Sequence, residues 1–229
     1  MKSEPPIGIK SAMWFGVVLV LASLSSVPAQ CQTRPVSRPG RFVQEPKPGS
    51  VAPDFTLKTT EGKTIQASVL WSNKPVVIMT GSYTCPVFRG QVSAFDQLAH
   101  DFGKQVNFIV LYTQEAHPKG DPSPYKGREW TTTANEREGI LLRQPKTAEE
   151  RLQRASTCAQ KLKLTVPVVV DSFDNTAWAA YGSAPNSACL VGRDGKVVEQ
   201  EGWFDPAKMR AAIEAHLKRT APKPLQNTP

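Results

Sequence analysis

Apolar residues gather in three runs along the middle of the chain, the second broken only by Asn107. Pro75-Val76-Val77-Ile78-Met79, residues 106–112 and Val166-Pro167-Val168-Val169-Val170 each read as a strand covered on both faces. Between the first two lies a helical stripe, Phe88, Val92, Phe95, Ala99 and Phe102, with Gly103 as its stop. Strand, helix and strand in that order predict a parallel βαβ unit. Before it, Phe55 and Leu57 alternate with Thr56 and Lys58. Glu61-Gly62-Lys63 then turns the chain and Thr64-Ile65 returns it, which predicts a small N-terminal β-hairpin.

The second half of the pattern is less regular. Residues 113–146 are rich in Pro, Gly, Thr and charge and predict a long irregular loop, a length uncommon inside a compact domain unless it serves function. Thr147-Ala148-Glu149-Glu150 reads as a capping box opening a helix whose inner face is Leu152, Ala155, Ala159 and Leu162. Residues 188–191 and 197–199, joined by a turn at Arg193-Asp194-Gly195-Lys196, predict an antiparallel hairpin. Asp205 as N-cap and Pro206 at the first helical position open a last helix with Met209, Ala212, Ile213 and Leu217 inward. The fold class expected is α/β and thioredoxin-like: a central mixed sheet of a parallel βαβ unit plus an antiparallel hairpin, flanked by helices, with the N-terminal hairpin as an extension.

Composition sets the boundaries. The 229 residues suit one cored domain with tails, and the 20 prolines gather before residue 54, in 118–124 and after 221. Residues 1–29 read as an export signal, with Lys2 and Lys10 flanking a polar start, an apolar run over 12–24, and Val27-Pro28-Ala29 at the cleavage point. That run is short of the roughly 20 residues a membrane span needs, so an anchor at 12–24 is the alternative to a periplasmic or extracellular product. Residues 30–50 are expected to be a flexible Pro/Arg-rich linker, 51–217 the domain and 218–229 a disordered tail. The net charge of +8 includes Arg34, Arg38, Arg41 and Lys47 in the linker and is otherwise dispersed, which argues against a nucleic-acid surface. The four cysteines, Cys31, Cys85, Cys158 and Cys189, form no Cys-x-x-Cys pair, so neither a zinc site nor a local redox disulfide is written in their spacing.

Chemistry concentrates at Cys85, where a buried strand turns into a helix and Pro86 supplies the first helical residue. Unpaired N–H groups and the partial positive charge of a helix start favour a thiolate, and Arg89, one turn on, adds to them. Cys158 and Cys189 fall on internal faces and read as packing residues.

The segment Gly81-Ser82-Tyr83-Thr84-Cys85-Pro86 resembles the GSCTUP segment of iodothyronine deiodinases, with cysteine in place of selenocysteine and Tyr83 where a second cysteine stands. Leu111-Tyr112-Thr113-Gln114-Glu115-Ala116-His117-Pro118 is similar to their YxEEAHP segment. Glu150-Arg151-Leu152-Gln153-Arg154-Ala155 resembles their DRLQAA helix, and Val166-Pro167-Val168-Val169-Val170-Asp171 their PVVVD strand. The resemblance spans about residues 51–217. It implies a thioredoxin fold with Cys85 as nucleophile and Glu115 and His117 as further catalytic groups that bond a substrate phenol and relay protons. Thr84, beside the cysteine, and Arg89, one turn into the helix, are the expected supporting residues. The expected activity is that of a thiol-dependent oxidoreductase needing no bound metal or cofactor and restored by an external thiol reductant. Expected partners are a small-molecule substrate, a thiol reductant or redoxin, and a second copy of the chain as a homodimer. Two other readings stand beside it: a peroxiredoxin-like peroxidase that oxidises Cys85 to a sulfenic acid, and a non-enzymatic exported binding module. A dithiol isomerase is disfavoured, because Phe88 occupies the second cysteine position.

Overall fold

The computed structural model describes residues 45–182 and 184–221. The expected signal, most of the linker and residues 222–229 of the expected tail lie outside the described residues. Seven strands form one sheet: β1 (Thr56–Thr59), β2 (Thr64–Gln66), β3 (Val76–Gly81), β4 (Asn107–Tyr112), β5 (Val168–Val170), β6 (Ala188–Val191) and β7 (Val197–Glu201), in the order β2-β1-β5-β4-β3-β6-β7. β3 pairs in parallel with β4, and β4 with β5. The hairpins β1–β2 and β6–β7 close the two edges in antiparallel fashion. This is the thioredoxin-like arrangement that the sequence predicts.

Alternation along the central strands divides the core into two layers. Val77, Met79, Phe108, Val110, Tyr112, Val168, Ala188 and Leu190 face one side, against helices α2 (Pro86–Phe102), α4 (Ala148–Leu162) and α6 (Pro206–Thr220). Val76, Ile78, Ile109, Leu111, Val169, Cys189 and Val191 face the other, against α1 (Ala67–Asn73) and α5 (Thr176–Ala180). Both faces are apolar because crossover connections bury both sides of a parallel sheet. On the α2 side Phe95 meets Phe108 and Phe204 edge-on, each at 5.6 Å between ring centres, and locks α2 to β4 and to the segment before α6.

Four expectations are corrected. The helices α1, α3 (Thr133–Glu138) and α5 are absent from the sequence reading; each is at most seven residues long, too short to show a stripe. The buried face of α4 is Arg151, Ala155 and Cys158, with Leu152 only half-buried. Arg151 is tolerated there because its guanidinium donates to Ser172 O at 2.7 Å and stacks over Phe173. Order begins before residue 51: Gly49 N donates to Val197 O and Val197 N to Ser50 O, adding backbone pairing beside β7. At the other end α6 runs to Thr220, so residues 218–220 belong to a helix and not to a tail.

The helix starts follow local chemistry. Thr147 caps α4 by accepting from Glu150 N at 3.2 Å, but Glu150 Oε2 reaches Lys146 N and not Thr147 N, so the box is displaced by one residue. Asp205 caps α6 through Ala207 N and Lys208 N, as its position predicts.

Gly81, the last residue of β3, is where the sheet meets the site. A Cβ there would stand far inside contact distance of the Phe88 ring, so glycine is what lets the first turn of α2 close onto the strand. Gly81→Ala is therefore expected to cost about 2 kcal/mol or more through overpacking. Chemical denaturation checks this, and an unchanged midpoint would show that Phe88 has room to retreat.

Candidate active site

Cys85 is the N-cap of α2. Its Sγ accepts from Phe88 N at 3.4 Å, its own N–H donates to Ser82 O at 3.1 Å, and Pro86 begins the helix. The turn Ser82-Tyr83-Thr84 thus delivers the sulfur to the helix start, as the sequence predicts. Its state differs from the expectation. Cys85 is completely buried, and burial pushes its thiol above the usual range, with the Glu115 charge adding to the effect. The amides of Phe88 and Val87 and the Arg89 guanidinium pull the other way but do not win. In this closed form the sulfur is a thiol and not the thiolate that a helix start alone favours.

Glu115 is the hub of the group. It has no solvent exposure; Oε2 accepts from Thr84 N at 2.8 Å and Oε1 from the Tyr112 hydroxyl at 2.5 Å. Arg154 approaches Oε1 at 3.8 Å. Burial, and then the Glu115 charge, keep Tyr112 protonated far beyond the ordinary phenol range. The Tyr112 oxygen in turn accepts from Tyr83 N at 3.2 Å, so two successive amides of the cysteine turn are held from the end of β4 and the residues just after it. Gln144 brackets the backbone of Glu115, accepting from its N–H at 3.0 Å and donating to its carbonyl at 2.7 Å.

Thr84 joins the same structure. Its Oγ1 accepts from His117 N at 3.0 Å and its carbonyl accepts from Asn135 Nδ2 at 2.9 Å. Ser82 Oγ likewise accepts from Ala116 N. His117 itself is buried. Its ring lies edge-on to Trp130 at 4.3 Å, and Nδ1 bonds Trp130 O at 3.2 Å. A carbonyl only accepts, so Nδ1 carries the hydrogen and Nε2 presents its lone pair. Burial lowers the pKa of the ring, which favours the neutral form at pH 7. Arg89 donates to Tyr83 O at 2.7 Å and forms a forked pair with Glu138 of α3.

All five sequence-chosen residues, Cys85, Thr84, Arg89, Glu115 and His117, therefore meet at the C-terminal ends of β3 and β4. Tyr112, Gln144, Asn135 and Tyr125 were not chosen. Tyr112 reads as strand core by its apolar run, and Gln144 and Asn135 lie in the stretch taken for irregular. Tyr125 packs on the cluster that holds Cys85 and is near enough for the sulfur to influence its hydroxyl. A cleft of about 680 Å3 opens at the far end of the sheet, around Asp96, His100 and Asn107, and none of this group lines it. Among the described residues no three His, Cys, Asp or Glu side chains gather as a metal site.

Two outcomes follow from the geometry. Alkylation of Cys85, followed by mass spectrometry of its peptide, is expected to keep accelerating as the pH rises past the free-thiol value of about 8.5, because burial holds the closed thiol above its ordinary range; a plateau below pH 8.5 would show that an open form governs its reactivity. His117→Ala is expected to lower stability by about 1–3 kcal/mol, through lost packing on Trp130 and an orphaned carbonyl. Thermal melting measures this, and a loss below about 0.5 kcal/mol would mean that the ring is held only loosely.

Comparison with known proteins agrees with the geometry. A family model described as iodothyronine deiodinase matches residues 35–214. The type II iodothyronine deiodinase of Rattus norvegicus is 30% identical over 124 residues, covering 53% of this chain and 44% of its own. The thyroxine 5-deiodinase of Homo sapiens is 27% identical over 180 residues, 78% of this chain and 55% of its own. The chain thus spans about half the length of the curated relatives it matches. Among solved structures, a putative protein disulfide isomerase from Bacteroides thetaiotaomicron superposes with a TM-score of 0.53 at 19% identity, covering 79% of this chain and 95% of that one. The peroxidoxin BcpB of Mycobacterium tuberculosis does so with a TM-score of 0.52 at 18% identity, covering 78% and 100%. These two share the fold. The family match over residues 35–214, with Cys85, Glu115 and His117 gathered in one buried group, identifies the chain as a member of the iodothyronine deiodinase family.

Proposed function

We propose that the protein is a thiol-dependent oxidoreductase that removes iodine, or reduces a comparably soft electrophile, with Cys85 as the attacking group. The observation that carries this is the sulfur at the N-cap of α2, held by Phe88 N while the adjoining Thr84 is bonded to both Glu115 and His117. With an iodinated phenol the Cys85 thiolate attacks iodine, forming an S–I bond as the C–I bond breaks. The electron pair left on the ring carbon takes a proton, and the Tyr112–Glu115 pair and His117 are the groups suited to relay it. Two equivalents of an external thiol then convert the sulfenyl iodide to iodide, a disulfide and the Cys85 thiol.

The buried state requires that the segment over Cys85 open before reaction. Once it does, the main cause of the raised thiol pKa is removed, while the amides of Phe88 and Val87 and the Arg89 charge remain to favour the thiolate. The reading further takes residues 1–29 as an export leader, with a thiol reductant or redoxin met outside the cytoplasm and a small molecule as substrate.

The test is iodide release from an iodinated phenol in the presence of dithiothreitol. Cys85→Ser is expected to abolish turnover and His117→Ala to lower it by about 100-fold. Release of iodide by Cys85→Ser would overturn the assignment. Iodide release absent from the wild type, together with rapid consumption of hydrogen peroxide, would favour peroxidase chemistry at the same sulfur.

A further inference from the structure

Asn186 precedes β6 and has no solvent exposure, yet neither its Oδ1 nor its Nδ2 has a hydrogen-bond partner. Leaving a buried amide unbonded is costly, and such groups in a folded protein ask for an explanation. Glu201, at the end of β7, is likewise buried and leaves Oε1 without a partner, while Oε2 accepts from Asp205 N. The two sit together. Ala188 pairs with Glu201, and Asn186 lies two residues before Ala188 in the turn that leads into β6, so the two residues stand at the same end of the β6–β7 pair.

That end of the pair adjoins the end of β3, from which the chain runs on to Cys85. Met79 pairs with Ala188 and Thr80 N donates to Ser187 O, which continues the register to set Asn186 across from Gly81. Gly81 is the residue covered by Phe88, whose amide holds the Cys85 sulfur. Tyr125 is linked to the segment before Asn186 through Trp178. It packs on the core cluster around Cys85 and meets the Trp178 ring edge-on at 6.2 Å, and the Trp178 indole holds Ala184 O, two residues before Asn186.

We propose that Asn186 and Glu201 form a subsite for a carboxamide or peptide-amide group of the molecule that Cys85 attacks, filled when the segment over Cys85 opens. An unpaired side-chain amide offers a donor and an acceptor side by side, and the group that satisfies both at once is another amide. Glu201 Oε1 accepts the remaining N–H. The subsite deepens the proposed thiol chemistry and rests on it.

Iodoacetamide and iodoacetonitrile are matched probes: both are small, neutral carbon–iodine electrophiles, and only the first has an amide. Their relative rates at Cys85, read on the Cys85 peptide by mass spectrometry of the full chain, are divided by their relative rates with glutathione, which cancels intrinsic reactivity and thiolate fraction. The wild type is expected to favour iodoacetamide by about ten-fold over glutathione, as one or two good hydrogen bonds would give. Asn186→Leu and Glu201→Met are each expected to bring the ratio to within about two-fold of glutathione's. Asn186→Leu is also expected to raise the melting midpoint, because a similarly shaped apolar group removes the unbonded amide; an asparagine kept for the fold would do the opposite. A wild-type ratio equal to glutathione's, or a preference that survives Asn186→Leu and Glu201→Met, overturns the subsite and leaves the thiol chemistry standing. A Cys85 inert to both reagents overturns both.

Discussion

A carboxylate with no solvent exposure, Glu115, is the constraint around which the rest of the site is arranged. Removing such a group from water costs several kcal/mol unless hydrogen bonds replace the water. Here the replacements are the Thr84 amide, the Tyr112 hydroxyl and the nearby Arg154. Each ties a different piece of chain to the end of β4: the cysteine turn, the strand itself and α4. Gln144 adds the far end of the long connection by pinning the Glu115 backbone on both sides. The groups that satisfy this buried carboxyl thus also help to hold the turn that carries the sulfur.

The same burial creates the tension that function must resolve. A helix start, two amides and an arginine favour a thiolate at Cys85, while exclusion of water favours the thiol and prevails in the closed form. The cover is the stretch between β4 and α4. It is not irregular throughout: α3 within it supplies Asn135 to the Thr84 carbonyl and Glu138 to Arg89, and Trp130 packs against His117. Polar contacts and aromatic rings tie this stretch to the site, which makes it the segment best suited to the opening that the proposed chemistry needs.

The thioredoxin-like frame was legible because its signals are local. Continuous apolar runs mark β3 and β4, the spacing of Phe88, Val92 and Phe95 marks α2, and Asp205-Pro206 marks the start of α6. Short helices left no such signal, and Arg151 could not be placed inward because its burial depends on carbonyls at Ser172 and Phe173, 21 and 22 residues away. Cys85, Glu115 and His117 were found by motif, yet the motif did not show that Glu115 bonds Thr84 across 31 positions, or that His117 is buried.

By itself, then, the sequence determined which residues are apolar strand, which start a helix, and that a cysteine stands where strand becomes helix, since each of these rests on neighbours a few positions apart. Only the tertiary structure decided the ionisation of that cysteine, the partners of Glu115 and the unbonded amide of Asn186. Solvation and hydrogen bonding are set by what packs against a group in space, and those neighbours come from β4, α3, α4 and β7, at separations no local pattern encodes.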